Sequence, residues 1–138
     1  MRELARAWGI GALSGSRSML GPAVVAQSTL SPSMRTLVSL LLGGELVADK
    51  SASIGARTDA LPLTGRMVLG AAAAAGSARR HRVPAALAGA AGALAATYAC
   101  YHLRRVATTR LRISNAVAGM LEDAAAIGAG AMLARAAR

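Results

Sequence analysis

Arg17, Glu45, Arg66, Glu122 and Asp123 stand inside stretches that otherwise carry no charge, and Asp49 and Lys50 stand at the border of one. Guanidinium and carboxylate groups so placed can pair with one another, meet a charged solute or relay a proton. An ionised side chain within a bilayer costs at least ~2.5 kcal/mol on insertion scales, so it persists where it pairs or lines a polar cavity. Two bases against three acids is near balance, which favours internal pairing. Arg17 is expected to face the interior and to pair with Glu122, Asp123 or Glu45.

Helical spacing groups these residues. Ser14, Arg17 and Gly21 fall at i, i+3 and i+7, and Glu45 and Asp49 are i,i+4 neighbours whose carboxylates face one way. Asn115, Gly119, Glu122 and Ala126 share one stripe; Arg66, Gly70, Ala73 and Ser77 share another. Each polar residue has a small one beside it, which leaves room for a partner helix or a small ligand. Asp49 and Lys50 read as an interfacial pair rather than as catalytic groups. His81 lies among loop arginines, His102 ends an apolar run and Cys100 is a small packing residue; no second ligand stands near either histidine, so no metal site is expected. No catalytic set and no cofactor motif is legible.

The elements that must position these groups are read from composition. Hydrophobic residues make up 54% of the chain, yet Phe is absent and Trp8, Tyr98 and Tyr101 are the only aromatics. Ala, Gly, Leu and Val would bury too little area for a firm water-soluble core. Membrane helices use such small residues to bring backbones together. The net charge of +10 raises a nucleic-acid reading. The basic residues form short clusters between apolar runs, with little to stack on bases, so that partner is excluded in favour of loops flanking membrane spans. An N-terminal signal peptide is also rejected, because the apolar run continues to Met34 without a clear small-x-small cleavage site.

The expected fold is a single all-α domain, residues 1–138: an integral membrane helical bundle of four to five short, Gly/Ala-rich transmembrane helices. Val83 to Leu103 is a charge-free run of spanning length. Ala7 to Gln27 spans if Arg17 is tolerated, with Pro22 as its kink or end; Ile113 to Leu133 spans with Glu122 and Asp123; Ala60 to Ala78 spans with Arg66 near one end. Thr36 to Ala48 is a short tilted span or a re-entrant element, and Asp49 to Thr64 reads as a polar loop. Five spans put nine basic residues on the N-terminal side and six on the other, which places the N-terminus in the cytoplasm. Gly11 and Gly15 form a GxxxG pair, and small residues in every segment imply a tight bundle, homo-oligomeric or joined to a membrane partner subunit.

Three segments in this order carry a resemblance: "GALSGSRSML", then "GELVADK" (Gly44 to Lys50), then "RTDALPLTGRMVLGA" (Arg57 to Ala71). With "LEDAAAIG" near the end, they resemble the domain-of-unknown-function family 4126, small bacterial integral membrane proteins. Ser51 stands where that family often has proline after the Asp-Lys pair. The resemblance implies a multi-pass protein of the bacterial inner membrane and no established activity. "SGSRSM" is also similar to the Gly-x-Ser-Arg-Ser loop of undecaprenyl-diphosphate phosphatases, which would make Ser16, Arg17 and Ser18 phosphate contacts, but the companion glutamate-proline-serine motif is missing. Three roles are therefore expected, in order: a small-solute or ion/proton transporter-like bundle, a structural or assembly subunit of a larger membrane complex, and a lipid-diphosphate-binding enzyme.

Overall fold

The computed structural model describes residues 2–48 and 59–136, and for Arg2, Ser28 and Glu45 to Ala48 it describes the backbone alone. Among the described residues six helices follow one another: α1 (Arg2–Ser16), α2 (Leu20–Thr29), α3 (Pro32–Ala48), α4 (Ala60–Ser77), α5 (Arg82–Thr109) and α6 (Asn115–Arg135). No strand occurs among the described residues. Local chemistry sets several starts. Pro32 opens α3, where its missing N–H would have had no helical partner. The Ser114 hydroxyl accepts from the Val117 N–H at 3.3 Å and so caps α6.

The expected span Ala7 to Gln27 is instead two helices, which is why six are present where five were expected. The Ser16 hydroxyl donates to the Leu13 carbonyl at 2.8 Å, and the Leu20 N–H closes a turn onto the Arg17 carbonyl at 3.0 Å. The chain then folds back. Gly21 lies against the Ile10 carbonyl and the Ser14 hydroxyl so closely that a β-carbon there would collide with both. Val25 joins Ala7 and Ile10 in one apolar cluster. Pro22 therefore sits in the first turn of α2 and kinks nothing. At 15 and 10 residues, α1 and α2 measure about 22 and 15 Å, each short of the ~30 Å hydrocarbon core of a bilayer.

Contacts fix the directions. Gly89 meets Gly11 and Ala93 meets Gly15, so α5 runs beside α1 in the same sense. Helix α4 runs the other way: Arg66 reaches the end of α1, while the Arg79 N–H donates to the Glu3 carboxylate at its start, 2.9 Å away. Helix α6 is also antiparallel to α1, with Asp123 at Arg17 and Leu133 beside Gly9. Helix α3 packs on α2 alone among the described helices, with Val38 on Ala23 and Ala26. The reversal after α1 brings Arg35, Arg79, Arg80, Arg82 and Arg135 to the same end as Arg2 and Arg6. The loop tally of nine against six, which assumed that the first run crosses, does not hold in this topology.

Small residues fill the interior. The largest fully buried side chains are Ile10, Thr97 and Ser14. Close backbone contacts at Gly11–Gly89, Gly15–Ala93 and Gly92–Trp8 join α1 to α5, and Gly70 wedges into the same seam. The large apolar side chains point outward: Leu37, Leu40 and Leu41 on α3, Leu61 on α4, Leu87 and Leu103 on α5, Met120, Leu121 and Met132 on α6. Helices α5 and α6 are long and apolar enough to cross a membrane.

Candidate functional site

The last carbonyls of a helix lack intrahelical partners and carry the negative end of its dipole. At the end of α1 the sequence supplies cations and a hydroxyl for them. Arg66, from α4 and only 5% exposed, donates to the Gly15 carbonyl at 2.9 Å. The Thr97 hydroxyl, from α5 and 1% exposed, shares its one hydrogen between the same carbonyl at 3.0 Å and the Ala93 carbonyl one turn back at 2.9 Å. Three helices thus converge on one oxygen. They can do so because Gly15 has no side chain to hold Ala93 away.

Arg17 is the first residue past α1 and is 3% exposed. Its Nε donates to Asp123 Oδ1 at 2.8 Å, and its second nitrogen closes a salt bridge on the same oxygen. Next to this pair, Arg104 of α5 donates through Nε to the Asn115 side-chain carbonyl at 2.9 Å, and its guanidinium lies 3.8 Å from the Glu122 carboxylate. Neighbouring positions on a helix point about 100° apart. Glu122 and Asp123 therefore address two arginines on two different elements.

Two hollows meet at Arg104. A polar pocket of about 300 Å³ is lined by Arg17, Arg104, Asn115, Gly119, Met120 and Asp123. An apolar cleft of about 600 Å³ opens between α1, α5 and α6, walled by alanines and leucines with Cys100 among them, and Ser16, Arg104 and Glu122 supply its polar groups. The pair at Arg17 thus borders a space large enough for several waters or a small solute.

Among the expected site residues, Arg17 and Asp123 meet directly, Glu122 turns to Arg104 instead, and Arg66 serves the Gly15 carbonyl. The Glu45 side chain, Asp49 and Lys50 lie outside the described residues. Arg104 and Thr97 were not singled out in the sequence. Arg104 looked like a loop arginine past a span ending at Leu103, but α5 continues to Thr109 and keeps it on the helix facing α6. Thr97 could have been found: it is the polar member of a four-residue series, Gly89, Ala93, Thr97, along the buried face of α5. For the phosphate-contact arrangement, the chain break and a nearby acid are present. Ser16 is nevertheless bonded back to Leu13, and Arg17 is engaged by Asp123. No group of three metal-ligating side chains occurs among the described residues. No protein-family model, curated protein or solved structure matches this chain.

Proposed function

We propose that this chain is a membrane-embedded bundle of the bacterial inner membrane that binds and passes a small solute, an ion or a proton at the Arg17–Asp123 pair. The observation that carries the reading is the break at 17–19, which sets a buried, paired arginine beside a polar pocket of about 300 Å³. At membrane depth, non-helical backbone persists where it is buried in protein or lines a cavity, and the turn at 17–19, with the Gly15 carbonyl bonded by Arg66 and Thr97, meets that condition. Arg2, Arg6, Arg35, Arg79, Arg80, Arg82 and Arg135 gather at the N-terminal end and Arg66, Arg104, Arg105, Arg110 and Arg112 at the other, so the basic residues set no orientation across the bilayer.

A second reading, a structural or assembly subunit, draws on α3, which among the described helices packs on α2 alone and turns Met34, Leu37, Leu40 and Leu41 outward. The two readings part at the pocket. In a Cys100→Ala background, Met120→Cys places a thiol on the pocket wall. In membrane vesicles a membrane-impermeant thiosulfonate should modify it, at a rate that changes when Arg17→Met is added. No modification from either side of the membrane would mean a sealed structural pair.

A further inference from the structure

We propose that the end of the bundle holding the N-terminus docks the headgroups of anionic phospholipids, with the first turns of α1 and α5 set among their acyl chains. The inference rests on the membrane setting of the preceding reading and not on transport, and it assigns neither leaflet. Its first support is the count of charge. The arginines at this end whose side chains are described are Arg6, Arg35, Arg79, Arg80, Arg82 and Arg135. None of them makes an ion pair among the described residues. The acids of the chain are Glu3, Glu45, Asp49, Asp59, Glu122 and Asp123. Glu45 lies in the last turn of α3 and Asp59 just before α4, both at the opposite end, where Asp123 and Glu122 face Arg17 and Arg104. Asp49 lies outside the described residues. Glu3 is therefore the one described acid at the basic end, and its carboxylate accepts from the Arg79 backbone N–H rather than from a guanidinium. The end is strongly positive.

What lies just inside the arginines selects a lipid over a soluble acidic partner. Arg82 opens α5, and the charge-free run from Val83 to Leu103 follows it directly. This helix is long and apolar enough to cross a membrane. Val83 and Leu87 at its start are 71% and 68% exposed, Met132 near the end of α6 is 73% exposed, and Leu4 and Trp8 are exposed on α1. A rim of guanidiniums over a collar of exposed apolar side chains repeats the order of a phospholipid, phosphate above hydrocarbon. An RNA or an acidic protein would meet the rim and leave the collar bare. At the opposite end Arg105, Arg110 and Arg112 are exposed too, but Glu45, Asp59, Glu122 and Asp123 share that end. Anionic headgroups favour an arginine at the membrane surface by roughly fivefold in affinity, and a guanidinium offers a phosphate two parallel N–H donors.

Trp8 is the chain's single tryptophan, 49% exposed and about 9 Å along α1 from Arg2, so its fluorescence reports the lipids at this end. The full chain is reconstituted in vesicles of fixed phosphatidylcholine and phosphatidylglycerol content, with bromine on the acyl chains of one lipid or the other. Mole for mole, brominated phosphatidylglycerol should quench Trp8 as if enriched about fivefold, the worth of one arginine at each contacting headgroup. The preference should fall toward equality in about 1 M sodium chloride, where charges are screened beyond ~3 Å. Replacing Arg79→Gln, Arg80→Gln and Arg82→Gln together should do the same, while Arg105→Gln, Arg110→Gln and Arg112→Gln together should leave it intact. Equal quenching by the two lipids in the wild type, the outcome if a soluble acidic partner is the true occupant, overturns the proposal. So does a preference that the triple variant at Arg79, Arg80 and Arg82 leaves untouched. Absence of quenching by either lipid marks failure of the membrane setting instead, and the proposal falls with it.

Discussion

At the scale of single residues, the pair Arg17–Asp123 is where sequence and structure bear most directly on each other. Glu122 and Asp123 are adjacent, so spacing alone could not choose between them. The choice is made by the rotation of α6, which in turn follows from Ala118, Gly119, Ala126 and Gly130 being its buried face. A buried ion pair broken on one side leaves an uncompensated charge, at a cost of ~3–5 kcal/mol, whereas replacing both partners by apolar groups is often close to neutral. Arg17→Met should therefore destabilise the protein by about that amount in a detergent melt. Adding Asp123→Leu should recover most of the loss, and adding Glu122→Gln should recover little. Rescue by Glu122→Gln in place of Asp123→Leu would show that α6 is rotated from the position described.

At the scale of helices, small residues decide what packs where. A side chain at Gly15 would enter the backbone of Ala93, so Gly15→Leu should cost at least the upper end of the ~1–3 kcal/mol of overpacking and separate α1 from α5. Gly128, on the outer face of α6, has nothing within 4 Å of the position a β-carbon would take. Gly128→Ala should then raise stability by ~1 kcal/mol through helix propensity alone. Thermal melts of the two variants in one detergent check both signs. The helical class, the ends of α4 to within a residue, those of α6 to within two, and the Gly11–Gly15 contact were legible, because charge-free runs and four-residue steps report directly on helices and their close faces. The first run was misjudged. Its length and apolarity read as one crossing, with Pro22 as the feature that bends it. The reversal comes earlier, at Arg17 to Met19, where Ser16 bonds back to Leu13 and Gly21 permits the return. A local turn of this kind depends on which helices wait to receive α2, and no periodicity within the run records that.

For the whole molecule, the distribution of side chains is the reverse of a water-soluble protein's. Alanine and glycine fill the centre while leucines, valines and methionines form much of the perimeter, with Leu61 86% exposed and Met132 73% exposed. Soluble monomers rarely leave apolar patches larger than a few hundred Å² in water, whereas in lipid such a perimeter costs nothing. In the proposed membrane setting the interior charges follow the same logic: with no water to meet them, Arg17 takes a carboxylate and Arg66 a carbonyl oxygen. That the bilayer is this chain's solvent is the central proposal, and the reading of the pocket and of the ion pair rests on it. Expression of the full chain in a bacterial host followed by carbonate extraction of the membrane fraction tests it most directly. The protein should remain in the membrane pellet and leave it only with detergent. Recovery in the supernatant as a monodisperse monomer without detergent would contradict the account.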